Sequence, residues 1–321
     1  MLIEWRYFSI IIDSLIGFLG ISLNCLLLYL ILTQSPTKIR TYRLLLINMA
    51  VNDMFTSTMM ILLVPRVIGY EWTLVVASRG ICKNVDREYC FVGISVFFAT
   101  FSHFLLTLLG SFAFRYYVIR NQPPTLTSLF AIIMATSVPS FLIVIFFTTK
   151  LASIDREDEL MDIINVYYTD FELKDEAIYG FKDIRDWRIA YCILLIGGTA
   201  IPIYITIFLV RRMIMNYLGK QTVSQKGVKL QRELIKVLSW QAFLPTLFFI
   251  TLILYVYSQT TVWTHPILEC SVFFTVSLIP ILSPCISIAF VRPYRSFLSW
   301  HFGSLFRPNS VSIVPVQRCS E

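Results

Sequence analysis

Long hydrophobic blocks alternate with short polar segments along the whole chain. Each block contains 21 to 26 residues, and about 20 residues of helix are enough to cross a hydrocarbon core of roughly 30 Å. We therefore predict an all-α bundle of seven transmembrane helices. The predicted spans are residues 7–32, 44–64, 91–114, 126–149, 189–210, 237–257 and 267–291.

The overall composition supports a location in the membrane. Of the 321 residues, 56% are hydrophobic and 15% are charged, whereas a soluble domain contains about 25% charged residues. The sequence contains no phosphate-binding loop, dinucleotide fingerprint or metal-ligand spacing. We therefore predict no catalysis, no cofactor and no metal. The net charge of +7 is attributed to an anionic membrane surface rather than to nucleic acid.

The distribution of basic residues predicts the orientation of the bundle. With the N-terminus outside, 16 of the 27 Lys and Arg residues fall on the cytoplasmic side, where such residues are retained. The segment 150–188 then lies outside and carries 11 acidic residues. It is either a lid over an outer cavity or a solvated surface, and the sequence leaves both open.

The region after the seventh span has the pattern of a helix that lies on a membrane surface. Leu298, Phe302 and Leu305 are spaced at i, i+4 and i+7, and arginines flank them. We predict an amphipathic helix over 294–306 on the cytoplasmic side. The membrane domain would then comprise 1–307, followed by a disordered tail over 308–321.

Several short motifs resemble those of rhodopsin-like receptors. The stretch from Asn48 to Asp53, NMAVND, resembles the N-L-A-x-x-D motif of their second helix, and Asn24 stands where they keep an Asn in the first. Pro245 resembles the proline of the sixth helix. The segment SPCISIAF, which begins at Ser283, resembles their seventh-helix motif.

Longer segments are similar to nematode serpentine chemoreceptors of class delta, over roughly residues 10 to 300. These segments are RTYRLLLIN, FRYYVIRNQPP, LQRELIKVLSWQAFLPTLFF and HPILECSVFFTVSLIPILSPCISIAFVRPYR. The resemblance implies a receptor in the membrane of a sensory neuron or its cilium. Such a receptor would bind a small odorant or pheromone in an outer cavity and signal through a heterotrimeric G protein. The competing hypothesis is a ligand-gated channel or transporter with inverted topology.

Two positions depart from the rhodopsin-like pattern. Phe114 precedes Arg115, where an acid is usual, and Ser283 and Ser287 replace the Asn and Tyr of the seventh helix. An ion pair within the third-helix motif is therefore not expected.

The carboxylate of Asp53 is the most informative polar group, because a charge at the bilayer centre costs at least about 2.5 kcal/mol. It should face the bundle interior. The resemblance implies a polar switch formed by Asn24, Asn52, Asp53 and Ser283. The alternative is that these residues only hold helices together through hydrogen bonds.

Three further residues are candidates for the ligand cavity. Arg66 and Glu269 lie near the outer ends of the second and seventh helices, and His103 lies within the third. The alternatives are a structural ion pair between Arg66 and Glu269, and an interhelical hydrogen bond for His103.

The cytoplasmic side supplies the candidates for contact with a G protein. They are Arg115, Arg211, Arg212, Lys229 and Arg232. Pro245 and Pro280 weaken local helix hydrogen bonding, so we predict that the sixth and seventh helices move.

Among the seven cysteines, one pair is a candidate disulfide. Segment 150–188 contains no cysteine, so the bond usual in rhodopsin-like receptors cannot form. Cys82 and Cys90 both lie outside, in an oxidising compartment, and are expected to pair with each other. Cys192 is the rival partner.

Overall fold

The structure is a computed structural model, which describes residues 2–35, 40–70, 73–121, 124–149, 160–162, 176–220, 225–260 and 266–305. The predicted disordered tail and the end of the predicted amphipathic helix lie outside these residues. Within them, seven helices are long and apolar enough to cross a membrane. These spans are Tyr7–Gln34, Tyr42–Leu63, Arg87–Val118, Leu126–Thr148, Trp187–Tyr217, Glu233–Tyr257 and Glu269–Phe290. Each segment predicted from hydropathy overlaps one of them, which confirms the seven-helix architecture.

Three of the seven spans are each built from two helices. The helices, in chain order, are α1 Leu2–Gln34, α2 Arg40–Leu63, α3 Arg87–Arg120, α4 Leu126–Thr148, α5 Trp187–Ile193, α6 Thr199–Lys220, α7 Gln225–Gln241, α8 Thr246–Thr260, α9 Pro266–Ser277, α10 Ile279–Phe290 and α11 Arg292–Leu305. The fifth span comprises α5 and α6, the sixth α7 and α8, and the seventh α9 and α10. Helix α3 is central and packs against α2, α4 and α6.

The breaks in these spans lie close to prolines. Pro245 has no N–H to donate to the carbonyl of Gln241, which instead accepts from the N–H of Leu244 at 3.0 Å. The sixth span therefore tightens between α7 and α8. In the fifth span, a π-helical turn over Leu194–Gly198 lies four residues before Pro202.

A three-stranded antiparallel sheet covers one end of the bundle and was not predicted. The strands are β1 Pro65–Tyr70, β2 Thr73–Ser78 and β3 Ala177–Phe181, in the order β1-β2-β3. Val76 pairs with Val67 on one side and with Tyr179 on the other. Gly180 has a φ of 157°, and a Cβ there would lie 2.2 Å from the carbonyl oxygen of Leu74. The close approach of β2 and β3 therefore requires glycine.

The sheet packs against α3, α8 and α9, and we call this end of the molecule the sheet end. At the other end, called the tail end, α11 follows directly on α10. Tyr294 of α11 is buried, and its hydroxyl lies 2.8 Å from that of Ser35. Phe297 contacts the ring of Tyr29, with centroids 6.1 Å apart. The face of α11 that carries Tyr294 and Phe297 therefore packs against the first span.

Candidate functional site

An apolar cavity of about 130 Å³ lies beneath the sheet. Its walls come from the third, fifth, sixth and seventh spans, with Phe147 from the fourth, two residues from the sheet and Ile184 from the turn before the fifth span. The lining residues are Val67, Leu74, Phe97, Phe98, Phe101, Phe147, Ile184, Ile189, Cys192, Ile193, Ile196, Phe248, Thr251, Tyr255, Val272, Phe273 and Val276. None of these side chains carries a formal charge.

The hydroxyl groups in this lining are already engaged. The Thr251 hydroxyl lies 3.1 Å from the carbonyl oxygens of both Leu247 and Val272, so its proton has an acceptor within the bundle. The Tyr255 hydroxyl donates to the carbonyl of Thr73 in the sheet at 3.2 Å. Apart from the thiol of Cys192, the wall that faces the cavity is therefore hydrocarbon.

Aromatic packing holds the sheet over the cavity. The ring of Phe91, at the start of the third span, lies 6.1 Å from that of Tyr179 and 5.7 Å from that of Phe181. Phe181 also contacts the lining residue Phe147 at 5.3 Å. Tyr179 is buried, and its hydroxyl lies 2.5 Å from that of Ser78. Burial raises the pKa of this phenol, and the Ser78 hydrogen bond opposes that shift.

A buried group of three ions joins the sheet to the seventh span. Nε of Arg66 contacts Glu176 at 2.8 Å, and Nη1 contacts Glu269 at 3.3 Å. Burial by itself lowers the pKa of the Arg66 guanidinium, but the two carboxylates outweigh it and raise that pKa. Glu176, which precedes β3, was not identified from the sequence as a partner of Arg66.

Arg66 and Glu269, which the sequence offered as candidates for the ligand cavity, do not line this cavity. Arg66 lies on β1, not on a helix end, and neighbouring residues of a strand point to opposite faces. Val67 lines the cavity, so Arg66 points away from it. The seventh-span residues in the lining begin at Val272, about one turn beyond Glu269.

His103 also does not line this cavity and instead joins the second and third spans. Its Nε2 lies 3.0 Å from the amide nitrogen of Asn48 and 3.2 Å from the hydroxyl of Thr107. This arrangement corresponds to the alternative interpretation, an interhelical hydrogen bond.

A polar network crosses the second, sixth and seventh spans midway to the tail end. The Asp53 carboxylate is buried near the Ser283 and Asn52 side chains, and its Oδ2 has no hydrogen-bond partner within the described part of the bundle. Gln241, from the end of α7, donates to the hydroxyls of Ser283 at 3.3 Å and Ser287 at 3.2 Å. Sequence reasoning missed Gln241. Its position four residues before Pro245, in an apolar run, was the available signal.

Asn24 and Asn52 each fix one helix to another. Asn24 donates to the carbonyl of Pro280 at 2.7 Å. In a regular helix this carbonyl would accept from residue 284, but Pro284 has no N–H, and the Asn24 amide replaces it. Asn52 donates to the carbonyl of Thr100 at 3.1 Å, besides its contact with Asp53. The structure therefore groups Asn52, Asp53 and Ser283, and places Asn24 against the seventh-span backbone.

Comparison with known proteins identifies the family. The profile of the family described as "Serpentine type 7TM GPCR chemoreceptor Srd" matches residues 9–299. The chain belongs to the Srd chemoreceptor family. It is 33% identical to serpentine receptor class delta-19 of Caenorhabditis elegans, over 86% of this chain and 83% of that relative. It is 32% identical to serpentine receptor class delta-18 of the same species, over 93% and 90%.

The fold of this Srd chain resembles that of squid rhodopsin. The two structures align with a TM-score of 0.63 at 15% sequence identity, over 94% of this chain and 86% of the rhodopsin chain. The class-delta resemblance inferred from the sequence is thus confirmed. The chain is a multi-pass membrane protein of a chemosensory receptor class, and this class is not an enzymatic one.

The third-helix arginine of this Srd chain is buried. Arg115 is 1% exposed, and its guanidinium carbon lies 3.5 Å from the centroid of the Tyr42 ring. Phe114 stacks on the same tyrosine, with centroids 5.9 Å apart. In this conformation Arg115 is not exposed for contact with a partner protein, because the guanidinium is packed against the first turn of the second span.

The other predicted partner contacts lie on α6 and α7. Arg211 and Arg212 are exposed on α6. Lys229 and Arg232 belong to α7, but their side chains lie outside the described part of the chain.

The cysteines are arranged as one disulfide and several free thiols. Cys82 is bonded to Cys90, and the bond closes the short segment between β2 and α3. The rival partner Cys192 is a free thiol and lines the cavity. Among the described residues, no group of three or more His, Cys, Asp and Glu side chains is arranged to hold a metal.

Proposed function

We propose that this Srd receptor binds a small chemical in the apolar cavity and signals through a heterotrimeric G protein at the tail end. One observation carries the proposal. The sixth and seventh spans both wall the cavity, through Phe248, Thr251 and Val276, and both join the polar network, through Gln241 and Ser283. A change at one end of these spans therefore has a physical route to the other.

The proposal places the sheet end outside the cell and the tail end in the cytoplasm. The excess of basic residues on the tail-end segments supports this orientation. The Cys82–Cys90 disulfide lies at the sheet end, and disulfides persist in oxidising compartments such as the cell exterior. By family analogy, the membrane concerned is that of a sensory neuron or its cilium.

The breaks in the sixth and seventh spans supply the flexibility that is needed to pass a ligand-induced change from the cavity to the tail end. The sixth span is interrupted just after Gln241, at Pro245, and the seventh at Leu278, just before Pro280. Each break separates the cavity wall from the residues of the network. A ligand that favours one arrangement of the upper segments shifts the population by its difference in affinity for the two states.

At the tail end, the exposed Arg211 and Arg212 are the proposed first contacts of the G protein. Lys229 and Arg232 extend the same basic region along the chain. Arg115 joins them after it leaves the ring of Tyr42.

Reconstitution of the purified receptor with G protein tests the proposal. We expect ligand-stimulated nucleotide exchange in the wild type, and a large loss in Gln241→Leu with ligand binding retained. Trp240→Leu is the matched control, since Trp240 is exposed and adjacent. A ligand-gated current without nucleotide exchange, together with an N-terminal tag in the cytoplasm, would favour the channel hypothesis instead.

A further inference from the structure

The size of the cavity and the chemistry of its wall restrict the ligand. The volume is about 130 Å³. An engineered apolar cavity of about 150 Å³ lined by Leu, Ile and Phe side chains stays dry and binds benzene. Resting on the proposed function, we infer that the ligand of this receptor is a compact, uncharged and mainly hydrocarbon molecule of about six to eight non-hydrogen atoms.

The nearby charges do not provide a site for an ionic ligand. The guanidinium of Arg66 is 7% exposed and already contacts Glu176 and Glu269, at 2.8 and 3.3 Å. None of these three residues is among the lining residues of the cavity. A carboxylate or ammonium group among the lining phenylalanines would be desolvated without a partner, which is strongly unfavourable.

Hydrogen bonding contributes little to recognition for the same reason. The hydroxyls of Thr251 and Tyr255 are directed at backbone carbonyls of α8, α9 and β2. A ligand that used either hydroxyl as a donor would first have to break an existing bond. Selectivity therefore comes from shape, and the aromatic residues set that shape. Phe101 stacks on Phe248 with centroids 4.9 Å apart, and Phe97 meets Phe273 edge-on at 5.6 Å.

Fluorine NMR of the purified full-length receptor in lipid nanodiscs tests the inference directly. The probes are fluorobenzene, 4-fluorobenzoate and 1-fluoronaphthalene. We expect saturable binding of fluorobenzene, none of 4-fluorobenzoate and weak binding of 1-fluoronaphthalene. Saturable binding of the benzoate without fluorobenzene binding would overturn the inferred ligand class.

Two variants separate binding in the cavity from partition into lipid. Val276→Phe fills the cavity and should weaken fluorobenzene binding about tenfold or more. Val256→Phe is the matched control, because the same change is made at a position of the sixth span that is 51% exposed and outside the lining. Equal fluorobenzene binding by both variants would contradict the assignment of the site.

For a third variant we predict a gain in ligand binding, which a misfolded protein would not show. Phe101→Leu removes part of one aromatic wall, and should strengthen binding of 1-fluoronaphthalene about tenfold relative to fluorobenzene. An unchanged preference would contradict shape selection by this cavity, even if Val276→Phe failed to fold.

The test distinguishes the ligand class from the proposed function. Binding is measured without G protein, so fluorobenzene-type binding with no nucleotide exchange would reject the signalling proposal alone. Nucleotide exchange driven by charged compounds alone would reject the ligand class and leave the receptor function intact.

Discussion

At the sheet end, the buried guanidinium of Arg66 contacts two carboxylates, whereas at the tail end the buried guanidinium of Arg115 stacks on the ring of Tyr42. The first arrangement joins the sheet to the seventh span by strong charge-assisted bonds. The second is a weaker cation–π contact. From this difference we infer that the sheet end is held more firmly than the tail end.

Breaking the ion group at the sheet end should have the largest effect on stability. Arg66→Met removes the guanidinium that contacts two buried carboxylates, and removing one partner of a buried pair costs about 3–5 kcal/mol. Thermal unfolding in nanodiscs measures the loss. The control is Arg292→Met, which breaks the pair with Glu233; the Arg292 side chain is 51% exposed, so the cost should be at most about 1 kcal/mol. Equal losses of stability in Arg66→Met and Arg292→Met would show that the buried ion group is no more important than an exposed pair.

Removing the disulfide should have the next largest effect. The bond between Cys82 and Cys90 closes a short loop at the sheet end, and the chain-entropy model assigns such a loop about 2–3 kcal/mol of stability. The double change to serine should lower the unfolding temperature accordingly. Cys25→Ser, at an exposed free thiol, serves as the control and should leave the unfolding temperature nearly unchanged. A similar shift in both proteins would argue against a structural role for the bond.

At the tail end, we expect substitution of Tyr42 to act on signalling more than on stability. Tyr42→Leu removes the ring beneath Arg115, a contact worth about 2 kcal/mol when desolvated. Ligand-independent nucleotide exchange should therefore rise by about tenfold. Tyr42→Phe keeps the ring and should remain close to the wild type. If both variants behaved alike, the ring would not be what restrains Arg115.

The smallest effect on stability is expected for Asp53→Asn. The amide can still bond to Ser283, and interhelical hydrogen bonds of this kind average about 0.6 kcal/mol. The variant should reach the cell surface normally and yet signal poorly, because the carboxylate is lost from the network. Ser22→Ala, at an exposed residue that bonds within its own helix, is the control. A wild-type dose response at normal surface levels would show that Asp53 only holds helices together.

The spans could be predicted from the sequence, because each one requires a long and continuous run of apolar residues, and such runs are typical of transmembrane helices. It did not predict the sheet. Strands β1 and β2 are six residues each, and β3 joins them from about 100 residues further along the chain. Such pairing has no local signature.

The candidate site was predicted only in part. Asp53 stood out because a carboxylate in an apolar run needs an explanation. The cavity could not be predicted from the sequence, because its lining consists of ordinary hydrophobic residues that are brought together only by the packing of the helices. Arg66 and Glu269 were predicted as ligand-site candidates because they are charged. In the structure they pair with each other, and neither lines the cavity.

We propose that occupancy of the apolar cavity rearranges the tail end of the sixth span. Spin labels at Phe130 and Trp240, both exposed near the tail end, would measure this by double electron–electron resonance after every cysteine except the Cys82–Cys90 pair is replaced. We predict that fluorobenzene changes the distance distribution between the labels, and that Val276→Phe abolishes the change. The same distance distribution with and without fluorobenzene, in a receptor shown to bind it, would contradict the proposed coupling between the cavity and the tail end.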